Sequence, residues 1–298
     1  MTASAGATPG AEAQYRYHRE LFPALHDWER TERSIVEFTG DSGPSGLLGL
    51  DQMGHFGPQG CDLVVEAMST GAETVFHGAP VELCELGSGF GGALRYLVDR
   101  LTARGITVRR AYGVDLVAEH CAVSRRISRS QGRAELTEIC ACATSVPLPE
   151  DSLDAVVVTG SMPHFPEPGE VVREAARLLR PAGLLALTEE VSLTPGVDGP
   201  SEAFRASHPR GVFFTTPAAE RQRQLERAGF VDVVRHDLGS WAVTLLAERL
   251  KVVRIFRGSV AGIYGDESVD LIRRTLTAAR DEYLAGRLLP SLWTARRG

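Results

Sequence analysis

From residue 81 onward, short apolar runs alternate with longer segments whose apolar positions fall three or four residues apart, the signatures of buried strands and of amphipathic helices. "VELCELG" predicts a strand, "GGALRYLVDRLTARG" a helix closed by a glycine, and "RRAYGVDL" a second strand that stops at Asp115. "AEHCAVSRRISRSQG" continues as helix, "AELTEICACA" as a third strand and "LDAVVVTG" as a fourth. "EPGEVVREAARLLRPAG" predicts a helix ended by Pro181 and Gly183, and "LLALTEEVS" a fifth strand. Thr216 as N-cap and Pro217 in the first turn open a helix in "TTPAAERQRQLERAG". The strand "FVDVVRHDL" follows, then helices over about 240–258 and 266–285, and a last strand "LLPSLWTARR". Repeated strand–helix units predict an α/β, doubly wound, mostly parallel seven-stranded sheet with helices on both faces.

The N-terminal part reads differently. Residues 1–12 are small and polar and are expected to be a disordered tail, whereas 13–75 are expected to form a helical cap. Within it "YRYHRELFPALHDWERTERSIVEF" predicts two short helices interrupted by Pro23, and the glycine-punctuated "LLGLDQMGHFGPQG" carries Asp51, Gln52 and His55. Residues 76–298 then form the main domain, with helical insertions at about 195–215 and 240–285.

Composition narrows the chemistry. A 298-residue chain that is 43% hydrophobic can bury a large core, and a formal charge of −6 without dense basic runs argues against a nucleic-acid surface. Cys61, Cys84, Cys121, Cys140 and Cys142 form no C-x-x-C pair and are an odd number, so reduced thiols are expected. The start of the chain lacks a secretory pattern and no stretch is long and apolar enough to span a bilayer, which places the expectation in the cytoplasm, away from membranes. A small molecule is the expected partner, and nothing in the sequence fixes an oligomeric state.

The glycine loop "ELGSGFGG" permits two cofactors. Gly87, Gly89 and Gly92 spell the G-x-G-x-x-G of a dinucleotide site, while Glu85 with Gly87, Gly89 and Gly91 spells an acidic-x-G-x-G-x-G pattern. A pyrophosphate at the following helix gains nothing from a carboxylate just before the loop, whereas a cationic cofactor does.

With "YGVDL", "ATSVPLPEDSLDAVVVTGSMPHF" and "EAARLLRPAGLLALTEE" following in order, the chain resembles the class I S-adenosylmethionine-dependent methyltransferases from about residue 81 onward. The resemblance implies their Rossmann-like sheet and S-adenosylmethionine as cofactor. It places the glycine loop and Glu85 near the methionine end, Asp115 on the ribose hydroxyls and Leu116 on the adenine. Cys142, Ala143, Thr144 and Thr159 complete the implied cofactor-binding set. Cys142 stands where the family often has an acid for the adenine amino group, so the contact there passes to a backbone carbonyl or to Thr144.

Ligands in such sheets sit beyond the carboxyl ends of the strands, which points to Ser161–His164, Glu189, Glu190, His236 and Asp237. His164 in "GSMPHF" is a candidate general base or metal ligand, His236 a candidate to converge with it, and Glu189 a third candidate catalytic group. His55 and His208 stand in reserve. Arg30, Arg33, Arg205 and Arg210 are candidate carboxylate clamps. "LLGLDQMGHFG" and "SMPHF" resemble bacterial α-keto acid C-methyltransferases, which implies a 2-oxo acid substrate. On that reading His164, His236 and Gln52 would hold a divalent metal such as Zn or Fe that stabilises the enolate formed at C3. Prenyl-diphosphate C-methylation, with aromatic faces from Phe56, Phe165, Phe213, Phe214 and Trp241, is one alternative. Simple N- or O-methylation is another. Outside the class stand a nicotinamide-dependent oxidoreductase and a non-catalytic cofactor-binding module.

Overall fold

The computed structural model describes residues 9–298 apart from 42, 44–46, 48, 71–75, 77, 193–198 and 210. The cap begins with α1 (Pro9–Glu20), α2 (Pro23–His26), α3 (Trp28–Thr39) and α4 (Gly57–Thr70). The main domain follows as β1 (Val81–Leu86), α5 (Gly92–Ala103), β2 (Val108–Asp115), α6 (Ala118–Ser130), β3 (Leu136–Cys140) and β4 (Leu153–Thr159). After a short 3-10 turn, Met162–His164, come α7 (Pro168–Leu178), β5 (Leu179–Ser192), α8 (Glu202–Ser207), α9 (Ala218–Arg227) and β6 (Phe230–Asp237). The chain closes with α10 (Gly239–Ile255), α11 (Arg257–Tyr264), α12 (Asp266–Leu284) and β7 (Leu288–Arg297).

The seven strands lie in the order β3-β2-β1-β4-β5-β7-β6. All neighbours are parallel except that β7 runs antiparallel to both β5 and β6. β1 is buried at every position because both of its faces are covered. Cys84 and Leu86 turn one way, into a core shared with Val171, Ala175 and Leu225 of α7 and α9. Val81 and Leu83 turn the other way, onto Val64 and Met68 of α4 and Leu94, Leu97 and Leu101 of α5. Each such buried aliphatic side chain contributes about 1.5–3 kcal/mol relative to exposure.

The cap departs from the expected two helices. Phe22 adopts a left-handed φ of 48° and Pro23 restarts the helix, so three short helices replace two. Helix also begins at Pro9, inside the expected 1–12 tail, of which residues 1–8 lie outside the described residues. Leu25, Trp28 and Ile35 of the cap pack on Phe90, Val123 and Ile127 beside the glycine loop, and on Val260 and Ile263 of α11. The helical segment expected over 240–258 breaks at Phe256, giving α10 and α11 in its place. Among the described residues no helix is long and apolar enough to cross a membrane.

Candidate active site

A cavity of about 1240 Å³ opens beyond the carboxyl ends of β1, β2 and β4, with Glu85, Asp115 and Thr159 in its wall and the cap segment 49–60 on its other side. Small-molecule sites are typically roughly 300–1,000 Å³, so this one has room for more than one small molecule.

At its floor the backbone turns through Gly87 and Gly89, with φ 76° and 53°. A Cβ at Gly87 would stand 2.5 Å from the Ser161 side chain, and one at Gly89 2.5 Å from Met53 Cε. Only glycine suits both the dihedrals and the close approach. Gly91, also in the left-handed region, is the N-cap residue of α5 and is absent from the cavity wall, so it turns the chain and leaves ligand contact to its neighbours.

Glu85 is buried, its carboxylate taking the Thr159 hydroxyl on one oxygen and no partner at all on Oε2. Burial pushes its pKa up to about 8, against the lowering influence of Thr159 and Arg95. Below pH 8 the free protein therefore holds this group protonated, and a bound cation would favour the carboxylate. Binding of a sulfonium or ammonium compound at pH 7 is expected to release a proton, with affinity rising as pH approaches 8. Calorimetry in buffers of different ionisation enthalpy measures this directly, and an observed enthalpy that does not change with buffer would refute it.

Asp115 closes β2. Its Oδ2 accepts from Gly89 N at 2.8 Å and its Oδ1 from Val117 N at 2.9 Å, while His120 Nδ1 lies 3.3 Å from Oδ1. Burial opposes the charge, but His120 and the two backbone donors hold the carboxyl below its ordinary range. Next to it Leu116 is 46% exposed, an apolar face turned to the cavity with Cys142, Ala143 and Thr144 also in the wall. Cys142 Sγ lies 3.0 Å from Thr144 Oγ1, so the cysteine is a cavity-wall residue and all five thiols are free.

Four further imidazoles, those of His18, His55, His164 and His208, line the cavity. His164 Nδ1 lies 2.8 Å from the Val212 carbonyl oxygen, to which only a protonated Nδ1 can donate, leaving Nε2 with its lone pair. Its ring packs against Tyr17, His18 and Phe213, and burial lowers its pKa, so the neutral base is the stable form. His55 is held from behind: Glu190 Oε1 lies 3.1 Å from its Nδ1 and also accepts from Tyr283 OH at 2.7 Å. His208, whose pKa burial lowers to about 3, meets the His55 ring edge-on.

Comparison with known proteins settles which of the two glycine-loop readings applies. Residues 84–187, which include the loop, Asp115, Cys142 and His164, match the family described as the methyltransferase domain. Residues 84–187 thus carry a methyltransferase domain. It is similar to 27-O-demethylrifamycin SV methyltransferase of Amycolatopsis mediterranei, 31% identical over 163 residues, covering 49% of this chain and 58% of that protein. It is similar also to erythromycin 3''-O-methyltransferase of Saccharopolyspora erythraea, 29% identical over 61% of each chain. Both matches thus span less than two thirds of the relative's length. Among solved structures the fold is shared with the cyclopropane synthase MmaA2 of Mycobacterium tuberculosis, with a TM-score of 0.60 at 17% identity over 78% of this chain and 85% of that one.

The methyltransferase domain fits its cofactor on three features: the left-handed glycine turn at the cavity wall, the buried Glu85 oxygen without a partner, and the Asp115 carboxylate at the strand end. Glu85, Gly87, Gly89, Asp115, Leu116, Cys142, Ala143, Thr144, Thr159, Gln52 and His164 all reach the cavity.

Two expected catalytic residues do not. His236 is exposed on β6 opposite Leu292, outside the cavity wall. The reason is topological, because β7 inserts between β5 and β6 and moves β6 to the sheet edge, away from His164. Glu189 also lies outside it, 1% exposed, with its carboxylate doubly bonded to Arg221 of α9 at 2.8 Å from each of Nε and Nη2. Strand alternation sends its neighbour Glu190 to the cavity side, behind His55. Glu189→Gln is expected to leave a buried guanidinium underpaired and to cost about 3–5 kcal/mol in urea unfolding. An unchanged midpoint would show the pair to be of no structural weight.

With His236 remote, the expected set of His164, His236 and Gln52 does not assemble around a divalent metal. Among the described residues no three His, Cys, Asp or Glu side chains are grouped to hold one. Gln52 instead donates to the Gly92 carbonyl at 3.4 Å. Arg30, Arg33 and Arg205 are absent from the cavity wall, and Arg210 lies outside the described residues. Of the aromatics, Phe56 and Phe165 reach the cavity, while Phe213, Phe214 and Trp241 do not. His55 was a reserve candidate only, and no local pattern in the sequence marks Arg249 or Tyr283, which the fold brings beside it.

Proposed function

We propose that this chain is a small-molecule methyltransferase whose substrate must lose a proton as it reacts, and that His164 takes that proton. The observation that carries the reading is the fixed tautomer of His164, with Nδ1 committed to the Val212 carbonyl and Nε2 left as acceptor in a desolvated wall of the cofactor cavity. S-adenosylmethionine, when bound, supplies an electrophilic methyl group. The chain's part is to seat it on the glycine loop, Glu85 and Asp115, and to hold the second molecule against His164 so that proton loss and attack are aligned. A hydroxyl is the acceptor best served by a single neutral imidazole, and the O-methyltransferase names of two relatives support it. In this reading His55, oriented by Glu190 and Tyr283, is the second polar group facing the substrate.

C-methylation at C3 of a 2-oxo acid is the second reading. It is favoured by the presence of His164 and Gln52 in one cavity, and its enolate would rely on His164 for proton removal. Mass spectrometry decides between them. The protein is incubated with S-adenosylmethionine and matched panels of hydroxylated small molecules and 2-oxo acids, and each product is fragmented to place the added methyl. Methyl on oxygen supports the first reading and methyl on carbon the second. No methylated product from either panel, with cofactor binding demonstrated, would overturn both.

A further inference from the structure

Arg249 projects from the middle of α10 into the cavity wall, against the cap segment. Its Nη1 donates to the Gly54 carbonyl at 3.1 Å and to that of His55, which uses both protons of that nitrogen. Among the described residues its Nε and Nη2 have no partner, and no carboxylate is paired with it. The nearby acids are committed elsewhere: Glu190 to His55 and Tyr283, and Asp51 to Arg95 at 2.8 Å in a pair whose side chains are each 4% exposed. Glu248, its chain neighbour, also lines the cavity but is exposed. Burial lowers the guanidinium pKa, with no carboxylate offsetting it.

A guanidinium half-buried in a cavity wall with no carboxylate beside it favours neutralisation by a ligand anion. Here the Nε–Nη2 edge, the fork that matches a carboxylate by two parallel hydrogen bonds, is the edge left free. We propose that Arg249 is the specificity-determining residue for the methyl acceptor, and that the acceptor is a small carboxylic acid held by its carboxylate on the Nε–Nη2 edge. This rests on the methyltransferase reading and deepens it, applying equally to a hydroxy acid and a 2-oxo acid. By gripping the carbonyls of residues 54 and 55 with the third nitrogen, Arg249 also ties the bound acid to the segment that carries His55, so acceptor binding and placement of that imidazole are linked.

The test is calorimetry on the full chain saturated with S-adenosylhomocysteine, titrated with acid and amide pairs: lactate and lactamide, pyruvate and pyruvamide, 3-phenylpyruvate and its amide. Hydrogen bonds to a charged group predict that at least one acid binds about tenfold or more tightly than its amide. Arg249→Gln is expected to erase the difference while leaving S-adenosylhomocysteine affinity as it was. Arg249→Lys, which keeps a donor for the 54–55 carbonyls but not the fork, is expected to reduce it, and decides the matter if the glutamine variant does not fold. Equal or undetectable binding of acid and amide to the unaltered protein overturns the inference, as does a preference kept in full by the variants. Failure of S-adenosylhomocysteine itself to bind overturns the methyltransferase reading beneath it, so the two failures are distinct.

Discussion

Replacing His164 with alanine is expected to lower kcat for methyl transfer by about 10²–10⁴-fold, the range typical of a positioned general base. The loss should fall on kcat rather than on cofactor affinity, because the hydrogen bonds that hold Glu85, Asp115 and the glycine loop do not involve His164. The pH profile supplies a second reading of the same residue. Burial lowers the His164 pKa, so the neutral form persists below the ordinary imidazole value of about 6.5. The acid limb of kcat/KM is therefore expected below that pH, where the ring finally protonates and Nε2 ceases to accept. A limb at or above 6.5, or a variant of undiminished rate, would remove His164 from the role and leave His55, backed by Glu190, as the base.

Asp115→Asn is expected to weaken S-adenosylmethionine binding by roughly 10- to 100-fold, since a hydrogen bond to a charged acceptor is worth about 1.5–3 kcal/mol. The substitution acts twice. It removes the charge that would receive the ribose hydroxyls, and it places a donor where Oδ1 and Oδ2 both accept, from Val117 N and Gly89 N, so the glycine loop loosens as well. Equilibrium dialysis with labelled cofactor measures the change. Affinity unaltered by the asparagine would detach Asp115 from the cofactor altogether.

The placement of Asp115 and His164 at the cavity is legible in the sequence because local rules fix their surroundings. A strand that ends in an acid, after a loop that only glycines can follow, is a short-range arrangement, and the structure keeps Gly87, Gly89 and Asp115 within hydrogen-bonding distance of one another's segments. His164 sits five residues beyond β4, close enough for the strand to aim it. His236 shows where that logic stops. Its distance from β5 is set by a strand more than fifty residues later, and no local pattern announces that β7 will slip between β5 and β6. Glu189 and Glu190 show a subtler limit. Alternation says that they face opposite sides, but which side holds the cavity depends on where the cap and α12 pack. Arg249 was invisible for the same reason, since helical periodicity gives a face and only tertiary packing says what that face meets.

The antiparallel β7 also has a temporal consequence. Its partners on β5 are about a hundred residues earlier, with Leu184 opposite Arg296 and Ser192 opposite Leu288. Until those distant segments meet, β5 presents an open apolar edge and β6 has no neighbour, so the half of the sheet that adjoins Glu190 cannot consolidate. Closure over so long a span is entropically slow, and pairing of remote strands is the step that limits folding speed in such topologies. Joining of β7 is therefore the contact on which the pace of assembly of this half of the sheet is expected to depend.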